Sequence, residues 1–222
     1  DPADPTRIFQ WLICEHYDDK GNALVYEYVA EDAAGIDHTQ PHERNRTAVS
    51  RTANRYLKRI KYGNQRSRLV APDLSAQTWL FEVLFDYGEG HYQPLPLADD
   101  RPAAEQPRLV EVAATAPAPW PARQDAFSRY RAGFEVRTYR LCRRVLMFHH
   151  FPAADELGID SYLVRSTEFT YAEGSILTYL QAVTQSTYRH ERERIFRRAD
   201  LPPVEFTYSR YRYRMASSPP IC

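Results

Sequence analysis

Residues Thr78–Tyr87 read TWLFEVLFDY. Trp79, Phe81, Val83, Phe85 and Tyr87 fall at every second position. Side chains of a strand alternate between its two faces, so a period of two sets these residues on one side of a β-strand. A helix would scatter the same residues around its axis. The glycines of Gly88-Glu89-Gly90 close the run.

The pattern recurs on both sides of this segment. Trp11–Tyr17 and Ala23–Val29 flank Asp18-Asp19-Lys20-Gly21-Asn22, which reads as a hairpin. Tyr56–Tyr62 alternates and is expected to stop at the turn pair Gly63-Asn64. Tyr162–Tyr171 and Val204–Tyr208 read as further strands, while Ser175–Ser186 fits a strand or a short helix. Phe127–Pro152, FSRYRAGFEVRTYRLCRRVLMFHHFP, alternates through Phe134 and Val136 and then slips phase, so that Tyr139 and Leu141 carry the apolar side. A slip of one residue is what a β-bulge produces. The block is therefore expected to be a bulged strand, with Phe134, Val136, Tyr139 and Leu141 inward and its arginines outward. The fold class is mainly β, with antiparallel sheets and hairpins.

Gln93–Pro121 breaks the pattern and holds seven of the sixteen prolines. Proline removes a backbone donor and fixes φ, so residues 93–121 are expected to form a loop with neither a central strand nor a long helix. That loop lies within one β-rich region, residues 1–209. Residues 210–222 lose all pattern and read as a disordered or divergent tail.

Composition agrees with a β protein and excludes several functions. The 222 residues include 16 Tyr, 10 Phe and 3 Trp, types that suit a pleated, half-buried surface. The 29 basic and 29 acidic residues cancel, which removes a strong electrostatic case for nucleic acid or an anionic membrane. Arginines crowd the chain after Arg123, but interleaved Glu and Tyr make a solvated sheet face the simpler reading. No apolar run approaches the length of a membrane-spanning helix, so no direct membrane insertion is expected. No signal peptide is visible, and the opening at Asp1 without Met points to a piece of something longer. Cys14, Cys142 and Cys222 lack metal or redox spacing. Cys14 and Cys142 sit in apolar runs and are expected to be small core residues.

No reaction centre emerges, and no catalytic, cofactor-binding or metal-binding residue is assigned. His149 and His150 would point to opposite faces of a strand, one packed and one exposed, and so would not share an ion. His42-Glu43 opens like the HExxH zinc motif, but Arg46 stands where the second histidine belongs. Arginines beside Cys142 would lower its pKa only if they faced it, and strand neighbours face away. Arg165-Ser166-Thr167-Glu168, followed by Glu191-Arg192-Glu193, is similar to the order of motifs in arginine-specific ADP-ribosyltransferases. There an Arg binds cofactor phosphates and a Glu activates the acceptor. Here Glu168 replaces the third residue of the Ser-Thr-Ser triplet, and His190–Arg198 reads as a solvated charged run.

One resemblance covers nearly the whole chain. It is carried by Asp4–Arg7 with Trp11–Cys14, Tyr26-Glu27-Tyr28, Asn54–Asn64, Phe85–Glu89, Ser128–Pro152, Leu163–Thr167 and Leu201–Ser209, in that order. These strings resemble the N-terminal, SpvB-type region of the B component of insecticidal toxin complexes, a region shared with the Salmonella virulence plasmid B protein. The resemblance implies a β-rich structural segment of a hollow shell, closed with an Rhs-repeat C component around a toxic polypeptide. It implies a pore-forming A component and the remainder of the B component as partners, and secretion after assembly in the bacterial cytoplasm. The ADP-ribosyltransferase of the Salmonella relative is a separate C-terminal domain, so the resemblance carries no catalytic residue to this chain and implies no cofactor. Two alternatives remain: an ADP-ribosyltransferase built on Arg165 and Glu191/Glu193, and a carbohydrate- or receptor-binding module using Trp79 or Trp120.

Overall fold

A computed structural model of the chain describes residues 1–97, 106–113, 115–151 and 161–209. The expected tail, 210–222, and Cys222 lie outside them. Antiparallel pairing dominates. The strands are β1 (Glu15–Tyr17), β2 (Ala23–Ala30), β3 (Arg55–Asn64), β4 (Trp79–Asp86), β5 (Tyr92–Pro94), β6 (Arg108–Val112), β7 (Phe127–Arg129), β8 (Val136–Thr138), β9 (Arg144–His150), β10 (Ser161–Ala172), β11 (Tyr179–Arg192), β12 (Ile195–Asp200) and β13 (Val204–Glu205). One helical turn, α1 (Ala48–Arg51), precedes β3, and a 3₁₀ turn (Leu74–Ala76) precedes β4. The main sheet has the order β1-β2-β3-β4-β9-β10-β11-β12-β6-β5, with β13 pairing off β11, and β7-β8 form a separate hairpin.

The sheet curls. β9 and β5 are separated by four strands in ladder order, yet the Arg144 guanidinium on β9 lies 4.6 Å from the ring centroid of Tyr92 on β5. Curling brings Leu84, Leu146, Phe148, Leu163, Tyr188, Phe196 and Val110 into one buried cluster. On β4 this inner face is the even one: Glu82, Leu84 and Asp86 are buried, while Trp79, Phe81, Val83 and Phe85 are half-buried on the opposite face. The alternation in TWLFEVLFDY thus marks the strand correctly, but its aromatic side is the less buried side. Glu82 and Asp86 stay inside because Arg59, His150 and Arg144 meet them there. A second cluster, Tyr56, Tyr87 and Trp120, packs edge-to-face with centroids 5.3–5.9 Å apart, with Phe85 and Cys142 against it.

Several expectations change. The Pro-rich stretch 93–121 contributes β6 to the sheet, because residues 108–113 are free of proline and alternate. Pro94 is tolerated because β5 ends the ladder. Gly63-Asn64 does not stop β3. Gly63 sits inside the strand at φ +70°, and the Asn64 side chain accepts from the Ala23 N–H at 2.8 Å, tying β3 to the first hairpin. Phe127–Pro152 is not one bulged strand: β7, β8 and β9 share it, with an irregular link over residues 139–143. The ambiguous Ser175–Ser186 segment becomes β11 from Tyr179 onward. His190–Arg198 is not merely a solvated run, since it forms the β11–β12 turn and buries Phe196. The first hairpin keeps its expected loop, where the Asp18 carboxylate accepts from the N–H groups of Lys20 and Asn22.

Candidate functional site

Arginines expected on an outer face are instead the centres of buried networks. Arg140 and Glu31 have fully buried side chains. Arg140 Nε donates to Glu31 Oε2 at 3.0 Å, its Nη2 pairs with Glu31 Oε1, and Nη1 donates to the carbonyls of Ala34 and Trp120. The guanidinium also lies 4.6 Å from the Trp120 ring, whose indole N–H donates to Asp32. The irregular link over 139–143 lets Arg140 turn inward, where an alternating strand would have sent it outward. A buried charge needs this degree of pairing, because an unpaired one costs several kcal/mol, on the order of 3–5.

Glu43 organises a second network. It is 1% exposed and meets Arg137 Nε at 3.0 Å, Arg51 Nε at 3.3 Å and Arg46 Nη1 at 3.5 Å, and accepts the Tyr139 hydroxyl at 2.8 Å. Burial pushes its carboxyl upward, but the Tyr139 bond and the arginines outweigh that and hold it below the usual range. The residue that opens like HExxH is thus an anchor between α1 and the β8 region. Within the curled sheet, Ser166 Oγ and the Tyr188 hydroxyl lie 2.6 Å apart, and Tyr188 donates to the Tyr92 hydroxyl. Arg198 donates to Tyr92 and pairs with Glu168 and Asp200.

Three phenols of these clusters are shifted far from neutral pH. A general acid or base works best with a pKa near the operating pH. Burial drives Tyr56 up to about 12 and raises Tyr92 and Tyr139, so these phenols stay protonated. Burial, aided by the Asp86 carboxylate, also pushes the Cys142 thiol up to about 12, and the positive charge that opposes the rise is Lys58 rather than the arginines adjacent in sequence. Cys142 is half-buried as expected of a core residue, whereas Cys14 is exposed, because the chain before Glu15 runs along the surface without a covering layer.

The other sequence candidates do not converge. Arg165 is exposed and pairs opposite Thr187. Glu191 lies four residues further along β11, roughly 13 Å away at the rise of a strand. There Glu191 pairs with Arg197 at 2.7 Å, and Glu193 occupies the β11–β12 turn at φ +47°. Ser166 and Glu168 are committed to the internal network. His149 meets the Phe81 ring and His150 meets Glu82, on opposite faces; both are half-buried. Trp120 is 5% exposed and cannot offer a stacking surface for a sugar. The features open to partners are apolar instead: Trp11 and Ile176 are each 84% exposed, and Val204 is 61% exposed.

The chain matches the family model described as Salmonella virulence plasmid 65kDa B protein over residues 1–151. It belongs to that family. Mono(ADP-ribosyl)transferase SpvB of Salmonella typhimurium is 39% identical over 195 residues, a match covering 85% of this chain. The chain spans 29% of the length of that relative. The N-terminal domain of effector protein SpvB from Salmonella typhimurium superposes with a TM-score of 0.63 at 38% identity, over 81% of this chain and 51% of that one. TcdB2-TccC3 superposes with a TM-score of 0.69 at 32% identity, over 93% of this chain and 9% of that one. A Photorhabdus luminescens Tc holotoxin pore gives a TM-score of 0.63 at 33% identity, over 89% of this chain and 8% of that one. The SpvB family resemblance read from the sequence, and its β-rich class, therefore hold, and the chain is similar to a region of toxin-complex proteins. Sequence reasoning missed Glu31, Arg137 and Arg140 as buried anchors, because an arginine among aromatics reads the same whether it faces water or a carboxylate.

Proposed function

We propose that this SpvB-family chain is a structural, non-enzymatic segment of a toxin-complex B component, contributing to the shell that encloses a toxic polypeptide. The observation that carries this reading is that 93% of the chain superposes on only 9% of TcdB2-TccC3, as one small stretch of a much larger body. An element of a wall must be rigid and must offer edges and faces to its neighbours. The paired buried arginines supply the rigidity. The apolar N-terminal segment, the β10–β11 loop and β13 supply surfaces for the remainder of the B component. The Rhs-repeat C component and the pore-forming A component are the further partners. Assembly in the bacterial cytoplasm, followed by secretion, suits the toxin relatives. Neither nucleic acid nor direct membrane insertion enters this role; among the described residues no helix is long and apolar enough to cross a membrane.

The name of the Salmonella relatives supports a second reading, ADP-ribosyl transfer. The separation of Arg165 from Glu191 and Glu193 disfavours it. Purified chain incubated with labelled NAD and an arginine acceptor separates the two. The structural reading expects no transfer above the blank; transfer that Glu193→Ala abolishes would establish the enzyme instead.

A further inference from the structure

A concavity of about 630 Å³ lies between the N-terminal segment, the approach to β3 and the β7–β8 hairpin. That volume is in the range of sites that take a small ligand or a short peptide. Its walls are apolar, formed chiefly by Ile8, Phe9, Leu12, Phe134 and Val136. Its charged lining is one-sided: Arg7, Arg55, Arg129 and Arg131 against a single carboxylate, Asp1. Asp1 is already engaged by Arg7 at 3.6 Å. Arg55 donates only to the carbonyls of Thr52 and Asn54, and Arg129 lies over the Phe127 ring. Among the described residues, Arg55, Arg129 and Arg131 have no carboxylate partner, unlike Arg46, Arg51, Arg140, Arg144 and Arg198, and what sets them apart from other exposed arginines is that they line one apolar hollow together.

The geometry points to a docking site for an extended acidic peptide in which carboxylate side chains alternate with apolar ones. Alternation fits the site because its lining sets guanidinium groups beside apolar side chains on both segments, Arg7 beside Ile8 and Phe9, and Arg129 and Arg131 beside Phe134. Guanidinium groups recognise carboxylates through paired, charge-assisted hydrogen bonds, and apolar side chains of the peptide would cover Phe9 and Phe134. Neither network of buried arginines contributes to the site, but Ile8, Phe9 and Leu12 belong to the N-terminal segment that the shell reading turns toward the remainder of the B component, so the inference rests on that surface being a docking face.

The test is fluorescence anisotropy with the full chain and a labelled peptide alternating glutamate with leucine and phenylalanine. Saturable binding is expected, weakened when salt rises from about 0.05 M to about 0.5 M. Combining Arg129→Ala with Arg131→Ala should weaken it by roughly tenfold or more. Both residues are exposed, so the fold should survive, and an unchanged far-ultraviolet circular dichroism spectrum checks this. Arg66→Ala, an exposed arginine outside the concavity, should leave binding unchanged. The inference is overturned if the peptide does not bind at millimolar concentration, if a lysine-for-glutamate peptide binds as well, or if the double substitution has no effect. Binding of decanoate without binding of the peptide would also overturn it, by assigning the site to a free amphipathic carboxylate.

Discussion

Arg140 shows how this chain uses charge. Its guanidinium is buried, and every direction it can donate in meets a carboxylate or a carbonyl. Arg140→Ala leaves Glu31 charged and buried, so it is expected to destabilise by about 3–5 kcal/mol. Arg143→Ala, three residues on and partly exposed with Glu173, should cost about 1 kcal/mol or less. Urea denaturation of the two variants checks the contrast. Glu43 makes the same logic depend on pH. Its folded pKa is lowered, so its stabilisation is present above the unfolded value and lost as pH falls through the folded one. Asp125, held at about 2 by the hydrogen bonds from Arg123, has the same sign. The urea midpoint should therefore drop between about pH 4 and about pH 2, and Glu43→Gln should flatten that limb. The two described cysteines differ as strongly. Iodoacetamide at pH 8 followed by peptide mapping should label exposed Cys14 and spare Cys142, whose thiol is pushed up to about 12. Labelling of both at equal rates would contradict the buried environment of Cys142. Of these residues only Cys142 stood in the sequence for its true role, as a core thiol. Glu43 was visible only as half of a zinc motif, and Arg140 only as one arginine of a basic run.

At the scale of elements, strands were legible where alternation was long. β4 and β10 follow from their apolar runs, and the first hairpin from the turn residues Asp18–Asn22, although its first strand is only Glu15–Tyr17 where Trp11–Tyr17 was expected. The short strands β6 and β12 were hidden, one among prolines and the other among charges, because alternation over five or six residues cannot outweigh those local signals. Which face is inward was also illegible on β4, since its buried face carries Glu82 and Asp86, and only their partners on β3 and β9 make that possible. Gly63 marks a further limit: glycine-asparagine reads as a turn, yet the strand runs through it. A Cβ at Gly63 would lie 2.6 Å from Phe81 Cδ2, and the residue has φ +70°. Gly35, at φ +71°, meets nothing within 4 Å. Gly35→Ala should therefore cost only the left-handed backbone term, about 1–2 kcal/mol. Gly63→Ala should cost more and disturb the β3–β4 register, which amide hydrogen exchange along Arg59–Asn64 would reveal.

At the scale of the whole molecule, the sheet is curled and, among the described residues, open at β1 and β5, and apolar groups stand exposed near its ends. Residues 8–14, IFQWLIC, run along the surface without a charge. Unpaired edges and such segments invite association, so the isolated chain should be poorly soluble and self-associating. Sedimentation of purified chain checks this, and a monomer with a sharp, cooperative thermal transition would count against it. The same surfaces become an advantage inside a larger wall. The most direct test of that role uses a full-length toxin-complex B component assembled with its C component. The stretch matching this chain is deleted, or replaced by residues 1–209, and protease protection of the enclosed polypeptide is measured. A wall segment predicts that deletion exposes the polypeptide and that the graft restores its protection. Full protection in the deletion assembly would contradict it.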